Sequence, residues 1–150
     1  MIRPASSDEA LALTQIALDA KRYWGYPEHW IKHWESDLTI TPEFIADNQV
    51  FVFEADGEVR GFYALCINDH DAELEHLWVT PQFIGTGIGK ELFLDAMDRA
   101  GTLSVNEVQI TADPNATGFY EKMGAKKIGE ASSTIDGQPR SLPRMKVNLD

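Results

Sequence analysis

The chain has 150 residues, the size of one ordinary domain, and its 43% hydrophobic and 25% charged residues exclude a disordered or low-complexity protein. Thirteen Lys and Arg against twenty-four Asp and Glu leave a net charge of −11, which repels a polyphosphate backbone and argues against general nucleic-acid binding. The longest apolar run, Phe62 to Ile67, is too short for a membrane span, Asp8 and Glu9 stand where a leader's apolar segment would lie, and Cys66 has no other cysteine to pair with. A cytoplasmic protein in a reducing compartment is expected, one that suits cationic small molecules and must hold any anionic ligand locally, against its own field.

No repeat, charge block or flexible linker divides residues 1–150, so one domain is expected. Residues 2–4 suit a first strand. Ser6 and Glu9 form a capping-box signal ahead of Leu13, Ile16, Ala17 and Ala20, which share one helical face. A second helix is expected from about Pro27 to Glu35, and Thr41-Pro42-Glu43 opens a third. Then the period changes. Val50 to Glu54 and Val59 to Ile67 read as strands joined at Asp56-Gly57, and Glu73 to Thr80 as a further strand. A glycine-rich loop, Gly85 to Gly89, feeds a helix ending near Gly101. Val105 to Thr111 follows as a strand, and Asp113-Pro114 caps a short helix that stops at Gly124. Lys126 to Ile128 and Met145 to Leu149 complete the pattern as two short strands around a turn at Asp136-Gly137. The order predicts a mixed α/β domain around one central sheet.

The most informative stretch is Leu77 to Leu92, LWVTPQFIGTGIGKEL, with three glycines at alternate positions between a strand and a helix. Such a loop lets backbone approach a ligand and turns several N–H groups one way, and the helix start adds partial positive charge. A phosphate or pyrophosphate fits there. Two nucleotide motifs do not: a P-loop needs glycine at Ile84 and Ser or Thr at Glu91, and a dinucleotide fingerprint needs glycine at Lys90 or Leu92.

This stretch resembles the acetyl-CoA-binding motif of the GNAT superfamily of N-acetyltransferases, a strand ending V-x-P followed by [RQ]-x-x-G-x-[GA]. Val79 and Pro81 match the strand end, and Gly87 and Gly89 match the motif glycines, with Gly85 as a common extra. Ile84 departs from the pattern, standing where the family usually has Arg or Gln. A second register, Gln82-x-x-Gly85-x-Gly87, satisfies the glycine motif but breaks the V-x-P spacing. Asp113 to Gly124, DPNATGFYEKMG, resembles the family's later segment ending [FL]-Y-E-K-x-G, although Asn115 and Tyr120 stand closer than usual. Ile2-Arg3-Pro4-Ala5 is similar to the family's first strand, so the likeness spans the chain in order. It implies a GNAT-type fold with one twisted central mixed sheet, splayed near residues 77–80 and 105–112 and flanked by helices. It also implies acetyl-CoA as cosubstrate, with the pyrophosphate held by the backbone of Gly85, Thr86, Gly87 and Gly89 beside Lys90, and the rest along Leu77, Val79 and Asn115.

Amine acetylation requires a base for the amine proton, a donor for the developing oxyanion and a proton for the departing thiolate. In family members the base often lies four or six residues before the strand-ending Val, which here gives Glu75 and Glu73. By period-2 alternation both share a face with Leu77 and Val79, leaving Leu74, His76 and Trp78 on the other, with His76 structural. Strand carboxylates are more often merely solvated, and only the resemblance raises these two. Tyr120 falls on the Tyr that usually faces the CoA sulfur and is the candidate acid. Cys66 reads as core. His29 and His33 have the spacing of half a metal site, but Trp30 occupies the Glu position of H-E-x-x-H, so no metal is expected.

Tyr23, Trp24, Tyr26, Trp30 and Trp34 crowd the region between the first two helices, which overhangs the acceptor site in the GNAT fold. An aromatic wall of Tyr23, Trp24 and Tyr26 for a hydrophobic or cationic acceptor stands beside plain packing as a reading. The function expected is direct acetyl transfer to a small-molecule or peptide amine in a ternary complex, with neither membrane nor nucleic acid as partner and a homodimer left open. The rival is a catalytically weak acyl-CoA-binding module that senses the cofactor or regulates a partner.

Overall fold

In the computed structural model, which describes residues 1–149, the strands are β1 (Ile2–Pro4), β2 (Gln49–Ala55), β3 (Glu58–Asn68), β4 (Asp71–Val79), β5 (Glu107–Thr111), β6 (Lys126–Ile135) and β7 (Gln138–Asn148). The helices are α1 (Ala10–Tyr23), α2 (Glu28–Leu38) and α3 (Pro42–Asp47) before β2, α4 (Ile88–Thr102) between β4 and β5, and α5 (Thr117–Lys122) before β6. Local chemistry explains most of these starts. The Ser6 N–H donates to the Glu9 carboxylate at 2.8 Å ahead of α1, and Thr41 Oγ1 accepts the Phe44 N–H at 3.0 Å to cap α3. Both Asp-Gly hairpins place two successive residues at positive φ, 55° and 75° at Asp56-Gly57, 55° and 71° at Asp136-Gly137. That is the turn whose twist matches its strands.

One seven-stranded sheet runs in the order β1-β2-β3-β4-β5-β7-β6, and every neighbouring pair is antiparallel except β4 with β5. On one face α4 packs over Phe51, Tyr63, Leu65 and Leu74; on the other, α1, α2 and α3 cover Val50, Val52, Phe62 and Ala64. This is the mixed, helix-flanked sheet expected. The last hairpin differs from its expected outline, since β6 and β7 are several residues longer than Lys126 to Ile128 and Met145 to Leu149. Their sequence lacks the apolar alternation of a half-buried strand because much of the hairpin is exposed. Pro139 and Pro143 also argue against a strand, yet they are tolerated: β5 pairs β7 only from Arg144 onward, so on that side both prolines sit where no ladder bond is owed.

A β-bulge in β4 changes which residues share a face. Leu65 pairs with Leu74 and Ala64 with His76, so Glu75 is the extra residue. Ala72 and Leu74 belong to the α4 core together with Leu77 and Val79, whereas Trp78 packs with the opposite core and His76 lies against Phe44 and Phe62 there. Glu73, alternating with Ala72 and Leu74, therefore lies on the face opposite Leu77 and Val79, and Leu74 lies on theirs. The unbroken alternation expected from sequence is corrected at this point, because period 2 holds only where both strands advance one residue at a time.

Candidate active site

The site is built where the sheet opens. β4 and β5 pair only over Asp71–Glu73 with Glu107–Gln109. β3 holds β4 as far as Val79, and β7 holds β5 as far as Thr111. Each strand thus stays tied on its outer side while their shared interface parts. The parting begins at Leu74 and Ile110, earlier on β4 than the expected residues 77–80 and within the expected residues 105–112 on β5. It leaves a cleft of about 240 Å³ walled by Leu77, Val79 and Ile84 on one side and by Thr111, Asp113 and Asn115 on the other. Phe119 and Tyr120 of α5, Trp24 after α1, and Glu75 complete it.

The glycine loop meets this cleft at the start of α4: Gly89 lines it, while Gly85, Thr86, Gly87 and Lys90 are not among the lining residues. Gly85 and Gly87 take φ of 85° and 93°, values that side chains resist, and turn the chain sharply into the helix. The first intrahelical bond runs from the Glu91 N–H to the Gly87 carbonyl at 3.1 Å, so the amides of Ile88, Gly89 and Lys90 precede it and have no helical acceptor. Gly89 packs beside Phe119 and Val79, where an added Cβ would make only ordinary contacts at 3.6 and 3.7 Å. Thr86 is turned differently: its amide and its hydroxyl both donate to the Phe83 carbonyl, at 3.3 and 2.5 Å. Lys90 is exposed at the first turn, and no Lys or Arg lines the cleft among the described residues. Ile84 lines it instead. An anion at this loop depends on N–H groups and the helix terminus.

The two candidate carboxylates have different surroundings. Glu73 is not among the residues that line the cleft and is held by Arg144, whose Nη1 lies 2.7 Å from one carboxylate oxygen. Glu75 lines the cleft, is open to solvent, and takes part in no side-chain hydrogen bond among the described residues. Partial burial, then the neighbouring Glu73 charge, push its carboxyl above the ordinary range, while Arg144 pulls the other way. Tyr120 is buried against Phe93 and Phe119 and lines the cleft. Burial, then the Asp113 charge, push its hydroxyl well up, so it keeps its proton. Cys66, half-buried rather than core, is pushed up to about 11 by burial and by the charges of Glu75 and Glu73, and stays a thiol. His76 is driven down to about 4 by burial and accepts the Trp78 indole N–H at 2.9 Å, a neutral packing residue.

The aromatic residues after α1 part company. Trp24 lines the cleft, and Tyr23 packs edge-on against it at 5.1 Å on the outer side. Tyr26 turns inward. Its hydroxyl donates to Asp113 at 3.0 Å and accepts from Arg140 at 2.7 Å and from Asn115 at 3.1 Å. Asp113 also lies 2.5 Å from Lys21, and the Lys21 ammonium and Arg140 guanidinium sit 4.3 and 4.9 Å from the Trp34 ring. Of the three residues expected as an aromatic wall, Tyr26 is thus already covered by the protein's own cations, while Trp24 stays on the cleft wall. Sequence reading missed this cluster, although Lys21 stands four residues after Ala17 on the buried face of α1, a place for a charge only when it is paired. His29 is likewise committed, lying 2.6 Å from Asp136 in the last hairpin turn.

A model of the acetyltransferase (GNAT) domain matches residues 5–137 of the chain. The peptidyl-lysine N-acetyltransferase YjaB of Salmonella typhimurium is 28% identical over 103 residues, 69% of this chain and 68% of that protein. The 5-NmdU N-acetyltransferase of Pseudomonas phage PaMx11 is 26% identical over 140 residues, 87% of this chain and 90% of the phage protein. Among solved structures, the PaiA N-acetyltransferase of Thermoplasma acidophilum in complex with coenzyme A shares the fold with a TM-score of 0.78 at 22% identity, covering 99% of this chain and 98% of that one. With the domain match spanning most of its length and the parted sheet and glycine turn in place, the chain belongs to the GNAT acetyltransferase family.

Proposed function

We propose that the chain transfers an acetyl group from acetyl-CoA directly to a primary amine within a ternary complex. The observation that carries this reading is the convergence, in one cleft, of the amide-rich start of α4, the unpartnered Glu75 carboxylate and the protonated Tyr120 hydroxyl. Both relatives are named as N-acetyltransferases, one for a peptidyl lysine and one for 5-NmdU, which supports nitrogen as the accepting atom.

The residues present fit the cosubstrate. Its pyrophosphate suits the amides of Ile88, Gly89 and Lys90, which have no helical acceptor, beside the turn made by Gly85 and Gly87, with the Lys90 side chain nearby. Its apolar arm suits Leu77 and Val79, opposite Asn115, in the interface that β4 and β5 leave open. Acetyl-CoA brings the acetyl group already activated as a thioester. The protein's work is proton transfer and placement. Glu75, raised and free of partners, takes the proton of the acceptor amine. Tyr120, neutral on the cleft wall, gives a proton at the sulfur side. Trp24 borders the acceptor.

The test is release of free thiol from acetyl-CoA across a panel of small amines, amino acids and lysine peptides. Amine-dependent release is the expected outcome. Tight acetyl-CoA binding with no release for any amine would instead support the sensing module.

A further inference from the structure

Arg144 spans the point at which the sheet opens. Its Nη1 donates to Glu73 at 2.7 Å and to Thr111 Oγ1 at 2.5 Å; its Nη2 donates to the other Glu73 oxygen at 3.3 Å and to Gln109 Oε1. Glu73 and Gln109 form the last backbone pair between β4 and β5 before they part. One guanidinium from β7 therefore reaches across β5 and grips β4 at its final paired residue, engaging both carboxylate oxygens. Two residues further on, the bulge presents Glu75 to the cleft without a partner. No motif in the sequence singled out Arg144.

We infer that Arg144 is a positioning residue for acetyl transfer: by holding Glu73 in a two-pronged ion pair at the edge of the opening, it leaves Glu75 as the one cleft carboxylate free to take a proton. This rests on the reading of Glu75 as base. Two neighbouring carboxylates without a cation each disfavour the other's ionisation, so each would hold its proton to higher pH. The guanidinium removes that coupling by neutralising the partner, and its planar fork suits the task better than an ammonium. The charged and titratable groups around Glu75 are Glu73 on its own strand, Cys66 on β3, Arg144 on β7, the Asp113–Lys21 pair past the end of β5, and Tyr120 on α5. Cys66 and Tyr120 stay neutral and Lys21 answers Asp113, which leaves Glu73 and Arg144 to govern Glu75.

The experiment follows the Glu75 carboxyl directly, by NMR of protein with isotopically labelled Glu carboxyl carbons titrated from acid to neutral pH, with Glu75→Gln identifying its resonance. Arg144→Gln should raise the Glu75 midpoint by about one pH unit, the scale of one nearby partly screened charge. The double variant Arg144→Gln/Glu73→Gln should bring it back near the parent value. Turnover should follow: about tenfold loss in Arg144→Gln at pH values below the parent Glu75 midpoint, recovered at higher pH and in the double variant. A merely structural arginine would give no such rescue, and a Glu75 midpoint that stays put in Arg144→Gln overturns the positioning role while leaving Glu75 as base. Parental rates in Glu75→Gln overturn the base reading and the proposal with it. Should Arg144→Gln fail to fold, Glu73→Gln alone leaves the guanidinium uncompensated and must lower the Glu75 midpoint; no movement there overturns the positioning role as well.

Discussion

The Lys21 ammonium lies 2.5 Å from the Asp113 carboxylate, with the two side chains only 10% and 9% exposed. The pair ties α1 to the chain just past the end of β5, on the wall of the cleft. Its two members are not equally supported. Asp113 also accepts from the Asn115 amide at 2.8 Å and from the Tyr26 hydroxyl, whereas among the described residues Lys21 has beyond Asp113 only the faces of Trp34 and Tyr26.

Removing the acid should therefore cost more than removing the base. Asp113→Asn leaves a buried ammonium with Arg140 as its nearest charge, and should lower stability by about 3–5 kcal/mol. Lys21→Met leaves the carboxylate its other donors and should cost clearly less. Chemical denaturation of both variants checks the order. The pH dependence has a definite sign. Burial works against ionisation of Asp113, but the Lys21 charge and hydrogen bond outweigh it and hold the carboxyl below its usual value. Its stabilisation is complete above about pH 4, the unfolded value, and is lost as pH falls through the lower folded value. The gap between parent and Asp113→Asn should narrow there.

At the loop, Gly87→Glu places a side chain at φ 93° and a negative charge beside the helix-start amides proposed to hold the pyrophosphate. The free protein should lose about 1–2 kcal/mol from the left-handed backbone alone. Acetyl-CoA should raise the melting temperature of the parent, as a ligand selective for the native state must, and leave that of the variant where it is. An equal rise in both proteins would sink the assignment of the loop.

Tyr120→Phe keeps the ring that packs on Phe93 and Phe119 and removes only the hydroxyl. Turnover should fall by about 10²-fold, with acetyl-CoA affinity nearly intact, because the lost interaction develops as the thiolate departs. Single-turnover rates and cofactor titration separate the two effects. Parental turnover would make Tyr120 a packing residue.

Glu75→Gln preserves shape while removing basicity, and should lower the rate by roughly 10²–10⁴-fold. Burial and the Glu73 charge raise this carboxyl, and the base acts ionised, so the parent rate should climb as pH rises through that elevated value. Glu73→Gln should cost far less and shift the climb to lower pH, since it leaves Arg144 uncompensated beside Glu75. Steady-state profiles with an acceptor of low basicity keep the amine's own ionisation out of the measurement.

Much of the fold was legible because its signals are local. Asp56-Gly57 and Asp136-Gly137 demand the positive φ that a two-residue hairpin supplies, and Thr41-Pro42 carries its own cap. The Gly85–Gly89 turn and the segment around Tyr120 marked the cleft for the same reason. The final hairpin was under-read, since its polar faces leave no alternation and its prolines forbid a strand only where a ladder bond is owed. Period 2 in turn misplaced Glu73, because a bulge is a property of two paired strands and Leu65 and Ala64 take part in it as much as Glu75 does.

Taken alone, then, the sequence determined the order of elements, the glycine turn and the kinship, all of which follow from backbone preferences and side-chain spacing over a few residues. Only the tertiary structure decided which carboxylate is free. Arg144 meets Glu73 across 71 residues of chain and Lys21 meets Asp113 across 92, and no local pattern encodes either meeting. Such pairs arise because burial raises the cost of an uncompensated charge, so the packed fold brings partners together that the linear chain keeps apart.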